Sequence, residues 1–298
     1  MRLRAPLLDD APAVLGLVVA RDLADLGVAD YALEDLLGEW RGTGLDMAAD
    51  AIIAEAGGEI VGYAAVHERG TIAVVAPEHE DRGIGARLLT WAEKRESERG
   101  RQRHRQWVAA GNTRAGALLR GAGYVRVRSA WRMVRALDDE VDAGTAEAGL
   151  KLRSLDVDRD GPTLHALDDA SFAANADYEP ETLETFREQH LAAHDLDPEL
   201  SRVAERGGRV AGFLLALRRD DTAVGYVDIL AVHPDHQGRG LGTTMLLDAF
   251  SRFAAAGLRE AQLSVASDNP RALRLYKRLG MTARFQQDNF ERPTAPKI

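Results

Sequence analysis

The chain has 298 residues, 45% hydrophobic and 29% charged, with a formal net charge of −9 and no cysteine. That length holds one large domain or two of ordinary size, with enough apolar content for a packed core. The acidic balance argues against a nucleic-acid partner and suits a cationic one, while the lack of cysteine excludes disulfides, thiolate metal sites and a cysteine nucleophile. No run approaches the ~20 apolar residues of a membrane span, so no membrane partner is expected.

At the start of the chain Arg2 and Arg4 precede the apolar run Ala11 to Ala20, an order shared with signal peptides. Asp9 and Asp10 interrupt that pattern. The prediction is an amphipathic first helix with Asp10 as N-cap, Pro12 in the first turn and Val14, Leu17 and Val18 inward, which places the chain in the cytoplasm. A hairpin over Ala51 to Ala65 follows, then a strand with a glycine turn, a helix, a strand over Trp107 to Ala110, another helix and a closing hairpin. Arg99, Arg101, Arg103 and Arg105 read as a solvated helix end. Asp138 to Gly149, acidic and poor in apolar residues, reads as a linker.

Beyond the linker the same order repeats. Val75 and Val232, Pro77 and Pro234, Gly83 and Gly240, Gly85 and Gly242, Asn112 and Asn269, and Gly123 and Gly280 share a spacing of 157, and Leu3-Arg4 matches Leu152-Arg153 at about 150. Extra residues in the second copy fall around Arg218 to Val224. The expected domains are 1–137 and 150–298, joined by 138–149.

The second copy carries the chemistry. Asp228 to Val232 reads as a buried strand, Pro234 punctuates a loop, and Gly238, Gly240 and Gly242 lead into a helix beginning near Thr243. Glycines there let backbone N–H groups approach an anion at the positive end of a helix. A nucleotide-hydrolase phosphate loop needs a Lys where Gly242 stands, and a dinucleotide fold wants Gly-x-Gly-x-x-Gly. Downstream, Leu263 to Met281 reads as a strand, an Asn269-Pro270 turn, a helix bearing Tyr276 and a Gly280 cap.

Val232, Gln237, Gly240 and Gly242, together with the Asn269–Tyr276–Gly280 motif, resemble the coenzyme-A motifs of the GCN5-related N-acetyltransferase (GNAT) superfamily. The resemblance covers the chain twice and is similar to the tandem type of mycothiol synthase and related actinobacterial acetyltransferases. It implies an α/β (α+β) fold of two tandem domains, each a mixed, mostly antiparallel sheet flanked by helices. It also implies acetyl-CoA as cosubstrate, a small-molecule amine acceptor, no metal, and a monomer or homodimer.

By the same resemblance, Leu230 and Val232 hold the pantetheine arm like an added strand, and Gln237, Gly238, Arg239, Gly240, Leu241, Gly242 and Thr243 bind the pyrophosphate. Arg239 reads equally as a phosphate contact and as a solvated loop charge. Asn269 reads as a pantetheine contact, a helix N-cap or both. Tyr276 is the expected general acid toward the departing thiolate, since a phenol titrates near ~10 and a thiol near ~8.5. Many superfamily members place a Glu base where Tyr226 stands here, and Asp228, two residues on, is the expected substitute. Aspartates titrate near ~4 and ammonium groups near ~10, so Asp228 needs a perturbed environment or a relay role.

In the first copy Thr71 replaces Asp228, Leu119 replaces Tyr276, and Glu80 and Asp81 replace Gln237 and Gly238. Carboxylates beside a diphosphate repel it, so this half is expected to be non-catalytic. A different class of function, a non-catalytic acyl-CoA-binding module, is the alternative. His190 and His194 carry zinc-like spacing but read as a surface helix, and Phe172 or Tyr178 is expected to contact the acceptor.

Overall fold

A computed structural model of the chain describes residues 1–29, 31–42, 44–67, 70–137, 149–173, 178 and 180–294. The expected linker lies almost wholly outside the described residues. The first half runs β1 (Arg2–Arg4), α1 (Ala11–Leu26), α2 (Leu33–Arg41), α3 (Met47–Asp50), β2 (Ala51–Ala56), β3 (Glu59–His67), β4 (Gly70–Val75), α4 (Ile84–Glu98), β5 (Arg103–Ala109), α5 (Thr113–Gly121) and β6 (Val125–Ala136). The second runs β7 (Leu150–Ser154), α6 (Val157–Phe172), α7 (Leu183–Phe186), β8 (Arg202–Arg206), β9 (Arg209–Arg219), β10 (Val224–Val232), α8 (Leu241–Ala255), β11 (Glu260–Ala266), α9 (Pro270–Arg278) and β12 (Thr282–Pro293). Among the described residues no helix is long and apolar enough to cross a membrane.

Two compact units result. The first takes Met1–Trp131, Ala266–Asp268 and Phe285–Ile298, the second Arg132–Val265 and Asn269–Arg284. Each half was expected to close with a hairpin, but each has one long strand after its last helix. In the first unit β5 lies between β4 and the C-terminal part of β12, with Gln287 opposite Ala109 and Pro293 opposite Arg103. A local hairpin and a pairing with a strand nearly 180 residues away present the same alternating pattern in sequence, which is why the difference was not legible.

The first unit's sheet has the order β1-β2-β3-β4-β5-β12-β6. Alternation along β2 sends Ala51 and Ile53 to a cluster with Val14, Leu17, Leu36 and Trp40 of α1 and α2, and Ile52 and Ala54 to one with Ile84 and Leu88 of α4. Asp10 sits at the N-cap position of α1 without capping it. Its carboxylate instead accepts from Leu7 N–H and from Arg4, which also reaches Glu55. Two of the arginines are drawn into ion pairs, Arg99 with buried Asp50 at 2.6 Å and Arg105 with Glu291 of β12 at 2.9 Å, while Arg103 reaches Glu291 at 3.1 Å from an exposed position.

The second unit's sheet runs from the end of β6 through β11, β10, β9 and β8 to β7. On one face Leu164 and Leu167 of α6 and Phe186 of α7 pack on Val203, Phe213 and Leu215. On the other, α8 buries Met245, Leu246, Phe250 and Phe253. Phe253 lies so close to β10 that a Cβ built on Gly225 falls 2.3 Å from its ring, so only glycine fits there. The additional residues of this half lengthen the β9–β10 hairpin.

Candidate active site

β10 organises the site. It pairs in parallel with β11 only from Val224 to Val227, yet continues beside β9 as far as Val232. From Asp228 onward its other edge has no strand partner among the described residues, leaving a row of backbone groups open to an extended ligand. The ladder to β9 slips between Val227 and Ile229, so Asp228 is the extra residue of a β-bulge. Ile229 packs against the α6–α7 core, and the Asp228 carboxylate turns to His190, whose Nδ1 lies 2.7 Å from Oδ2.

At the end of β10 the chain enters the glycine loop. Gly238 and Gly240 have φ of 77° and 86°, a left-handed geometry that L side chains resist. Gly240 is the N-cap of α8, which begins at Leu241, two residues earlier than expected. Thr244 N–H makes the first helical bond, to Gly240 O at 3.0 Å, so the amides of Leu241, Gly242 and Thr243 stand at the open helix end. Leu241 itself is buried, and Arg239 is exposed. A Cβ on Gly242 would meet Leu275, Val232 and Leu230 at 3.5–4.0 Å, ordinary contact.

Gln237 does not present a free side chain. Its Nε2 donates to Val232 O at 3.0 Å, and its Oε1 accepts from Arg271 Nη1 at 2.8 Å. Arg271 lies in the first turn of α9, so it joins the two motifs, a role the sequence reading missed. Ser171 at the end of α6 also donates to Val232 O, at 3.1 Å. Asn269 Oδ1 caps α9 by accepting Ala272 N–H at 3.0 Å. Tyr276 on the same helix is 8% exposed, and burial, with a smaller effect of Tyr226, pushes its phenol up to about 12. The Tyr226 ring lies between the guanidinium groups of Arg132 and Arg219, at 4.8 and 5.1 Å.

His190 corrects the surface-helix expectation. A π-helical turn, Arg187–Leu191, continues α7 and brings His190 inward, its side chain 13% exposed. Its ring packs on Phe186 at 5.2 Å, and Phe186 packs on His165 at 5.5 Å. Nε2 lies 3.5 Å from Glu181 Oε1, outside hydrogen-bond reach of a well-formed pair. Among the described residues no cluster of three or more His, Asp or Glu is arranged to hold a metal ion. Of the expected acceptor-side residues, Phe172 packs into the α6 core and the Tyr178 hydroxyl donates to Asp169.

The first unit keeps the loop's shape with different chemistry. Asp81, at the place of Gly238, retains a left-handed φ of 57°, and Gly83 again caps the helix. Asn112 caps α5 as Asn269 caps α9. Glu80, in place of Gln237, accepts from Arg114, the counterpart of Arg271, and from Arg21 at 2.5 Å. Burial pushes the Glu80 carboxyl up, but the two arginines outweigh it and hold it below the usual range. In place of Asp228, Thr71 donates to Glu96 at 2.7 Å inside a buried trio completed by His104.

A splayed central strand beside a glycine-capped helix, present in two copies, places the chain among acyl-CoA-dependent transferases, and the comparisons agree. The acetyltransferase (GNAT) family model matches residues 25–124 and 163–281. The chain belongs to this family and is an N-acetyltransferase with acetyl-CoA as donor. It is 31% identical to a mycothiol acetyltransferase of Kineococcus radiotolerans over 91% of this chain and 89% of the relative. Another, from Thermobispora bispora, is 31% identical over 70% and 71%. A GCN5-related N-acetyltransferase structure from Sphaerobacter thermophilus superposes with a TM-score of 0.85 at 26% identity, covering 100% of this chain and 96% of that one. A tandem GNAT protein from the clavulanic acid biosynthesis pathway shares the fold, with a TM-score of 0.77 at 17% identity over 100% and 99%.

Proposed function

We propose that the second unit is the working one and that it moves an acetyl group from acetyl-CoA to a primary amine by direct attack in a ternary complex. The observation that carries this is the edge of β10 from Asp228 to Val232, which has no strand partner among the described residues and leads into the glycine loop that opens α8. The pantetheine arm lies along Leu230 and Val232, and a backbone N–H of that edge polarises the thioester carbonyl as negative charge develops. The pyrophosphate meets the amides of Gly238 to Thr243, with Arg271 and Arg239 within the loop's reach. Attack by the neutral amine forms the new C–N bond, the C–S bond breaks, the thiolate takes the Tyr276 proton, and the surplus proton of the acylated nitrogen returns through solvent to the Tyr276 phenolate. The first unit, with Glu80 and Asp81 at the loop and Leu119 in place of Tyr276, serves a structural purpose.

The named relatives are mycothiol acetyltransferases, which makes the amine acceptor of mycothiol acetylation one to test. The experiment is a calorimetric titration of the whole chain with acetyl-CoA, followed by thiol release in the presence of amines. One site per chain with amine-dependent thiol release is expected. Two sites would return the first unit to a cofactor role, and an absence of binding would overturn the reading.

A further inference from the structure

The first unit retains a cleft of the same design. β4 pairs in parallel with β5 at Thr71 alone, yet runs beside β3 as far as Val75, so beyond Thr71 its other edge has no strand partner among the described residues. The left-handed loop, the glycine-capped α4 and the Asn112-capped α5 follow that strand as their counterparts follow β10. What differs is that the polar groups a cofactor would meet there are already bonded to side chains of the unit itself.

One arginine makes the closure. Arg21, near the end of α1, donates from Nη1 to Glu80 Oε1 and from Nη2 to Asp25 Oδ1, both at 2.5 Å, with its side chain 12% exposed. Glu80 also accepts from Arg114, whose Nε lies 3.3 Å from Asp81 Oδ2. Asp25 Oδ2 accepts in turn from Asn112 Nδ2 at 2.9 Å. A Cβ built on Gly111 would fall 3.2 Å from Asp25 O, so the end of α1 lies directly on the β5–α5 turn. The second unit is built otherwise. The 150-position offset that sets buried Val14 and Leu17 on Leu164 and Leu167 puts Ser171 at Arg21, and Ser171 donates to Val232 O. Gln237 brings no charge to Arg271, and among the described residues Asn269 Nδ2 has no partner while its Oδ1 caps α9.

We infer that the first unit is a self-liganded acyl-CoA cleft, in which the Glu80 and Asp25 carboxylates, clamped by Arg21, take the guanidinium and amide contacts of a diphosphate and a pantetheine carbonyl. This rests on the acetyl-transfer reading of the second unit. An incoming diphosphate has to displace Glu80 from both arginines, and the displaced carboxylate is left half-buried and unpaired beside a like charge. Exchanging one anion for another does not offset that loss, so the cleft stays shut and the chain holds one acyl-CoA. The same charge-assisted bonds fasten the end of α1 to the loop, which turns an unused cofactor site into a structural clamp.

The test neutralises the clamp without changing its shape, by Asp25→Asn, Glu80→Gln and Asp81→Gly together in the whole chain. The loop then takes the second unit's Gln–Gly pair, and Arg114 keeps a hydrogen-bond acceptor. Calorimetric titration with acetyl-CoA is expected to rise from one site per chain in the parent to two in the triple variant. The added site should vanish with Gly83→Asp and the original one with Gly240→Asp. Circular dichroism verifies the fold, and Glu80→Gln alone, which is expected to add a weaker second site, carries the test should the triple variant unfold. Two sites in the parent overturn the closure. So does one site per chain in the folded triple variant, or in Glu80→Gln where that alone folds. A parent that binds no acetyl-CoA fails the acetyl-transfer reading instead.

Discussion

Arg271 Nη1 donates to Gln237 Oε1 at 2.8 Å, and one repeat earlier Arg114 donates to Glu80. The same tether thus joins the glycine loop to the following capped helix in both units, with a neutral amide in one and a carboxylate in the other. In the second unit the amide accepts a single bond and leaves the guanidinium its charge for an anion. In the first the carboxylate neutralises it. Arg271→Ala should weaken acetyl-CoA binding about 5–20-fold, in line with a lost charge-assisted contact, while Arg114→Ala leaves it unchanged, both read by calorimetry.

Gly240→Asp should abolish acetyl-CoA binding, because it forces a side chain onto a φ of 86° and sets a carboxylate at the helix end that receives phosphate. Gly83→Asp should cost stability without touching affinity. Circular dichroism separates a folded non-binder from an unfolded chain.

Tyr276→Phe should lower kcat by ~100-fold and leave acetyl-CoA affinity within about twofold, since the ring keeps its packing and only the proton is lost. A phenol pushed up to about 12 stays protonated through the neutral range, so the parent enzyme should show no basic limb from this group below pH ~10. A limb near pH 8 that vanishes in Tyr276→Phe would contradict this.

Asp168 carries a stability consequence with a definite sign. Its carboxyl is held at about 6 in the folded chain against 3.8 for the unassociated group, so the folded state binds the proton more tightly. Stability from this residue is present below pH ~4 and lost as pH rises through ~6. Asp168→Asn should therefore raise the melting temperature at pH 7.5, by up to the equivalent of ~3 kcal/mol, and change it little at pH 4. A stabilisation equal at both pH values would refute the assignment.

Gly225→Ala should destabilise the second unit by ~2 kcal/mol or more, because the new methyl meets the Phe253 ring rather than a flexible chain end. Denaturant unfolding measures it, and Phe253→Leu in the same chain should restore part of the loss.

The parts of this molecule that were legible in sequence are those governed by neighbours in the chain. Glycines that permit left-handed turns, an Asn followed by Pro at a helix start, and an apolar face on α8 declare themselves within a dozen residues. His190 does not, because it acquires its place only from Asp228, 38 residues on in the chain and displaced by a bulge that alternation cannot foresee. The i, i+4 spacing of His190 and His194 even suggested a solvated face. A π-turn, which changes the helical period over five residues, removed that face.

The placement of β12 bears on how the protein is made. Its C-terminal part lies in the first unit, next to β5, so a ribosome that has finished the first half has not yet supplied that unit's sheet. Until β12 emerges, β5 remains an edge on that side with its backbone groups exposed, open to pairing with a second nascent chain. The duplicated halves are thus not portable modules: cutting between them leaves each product with an unfilled strand position, and the order of synthesis makes the N-terminal unit the last to be completed.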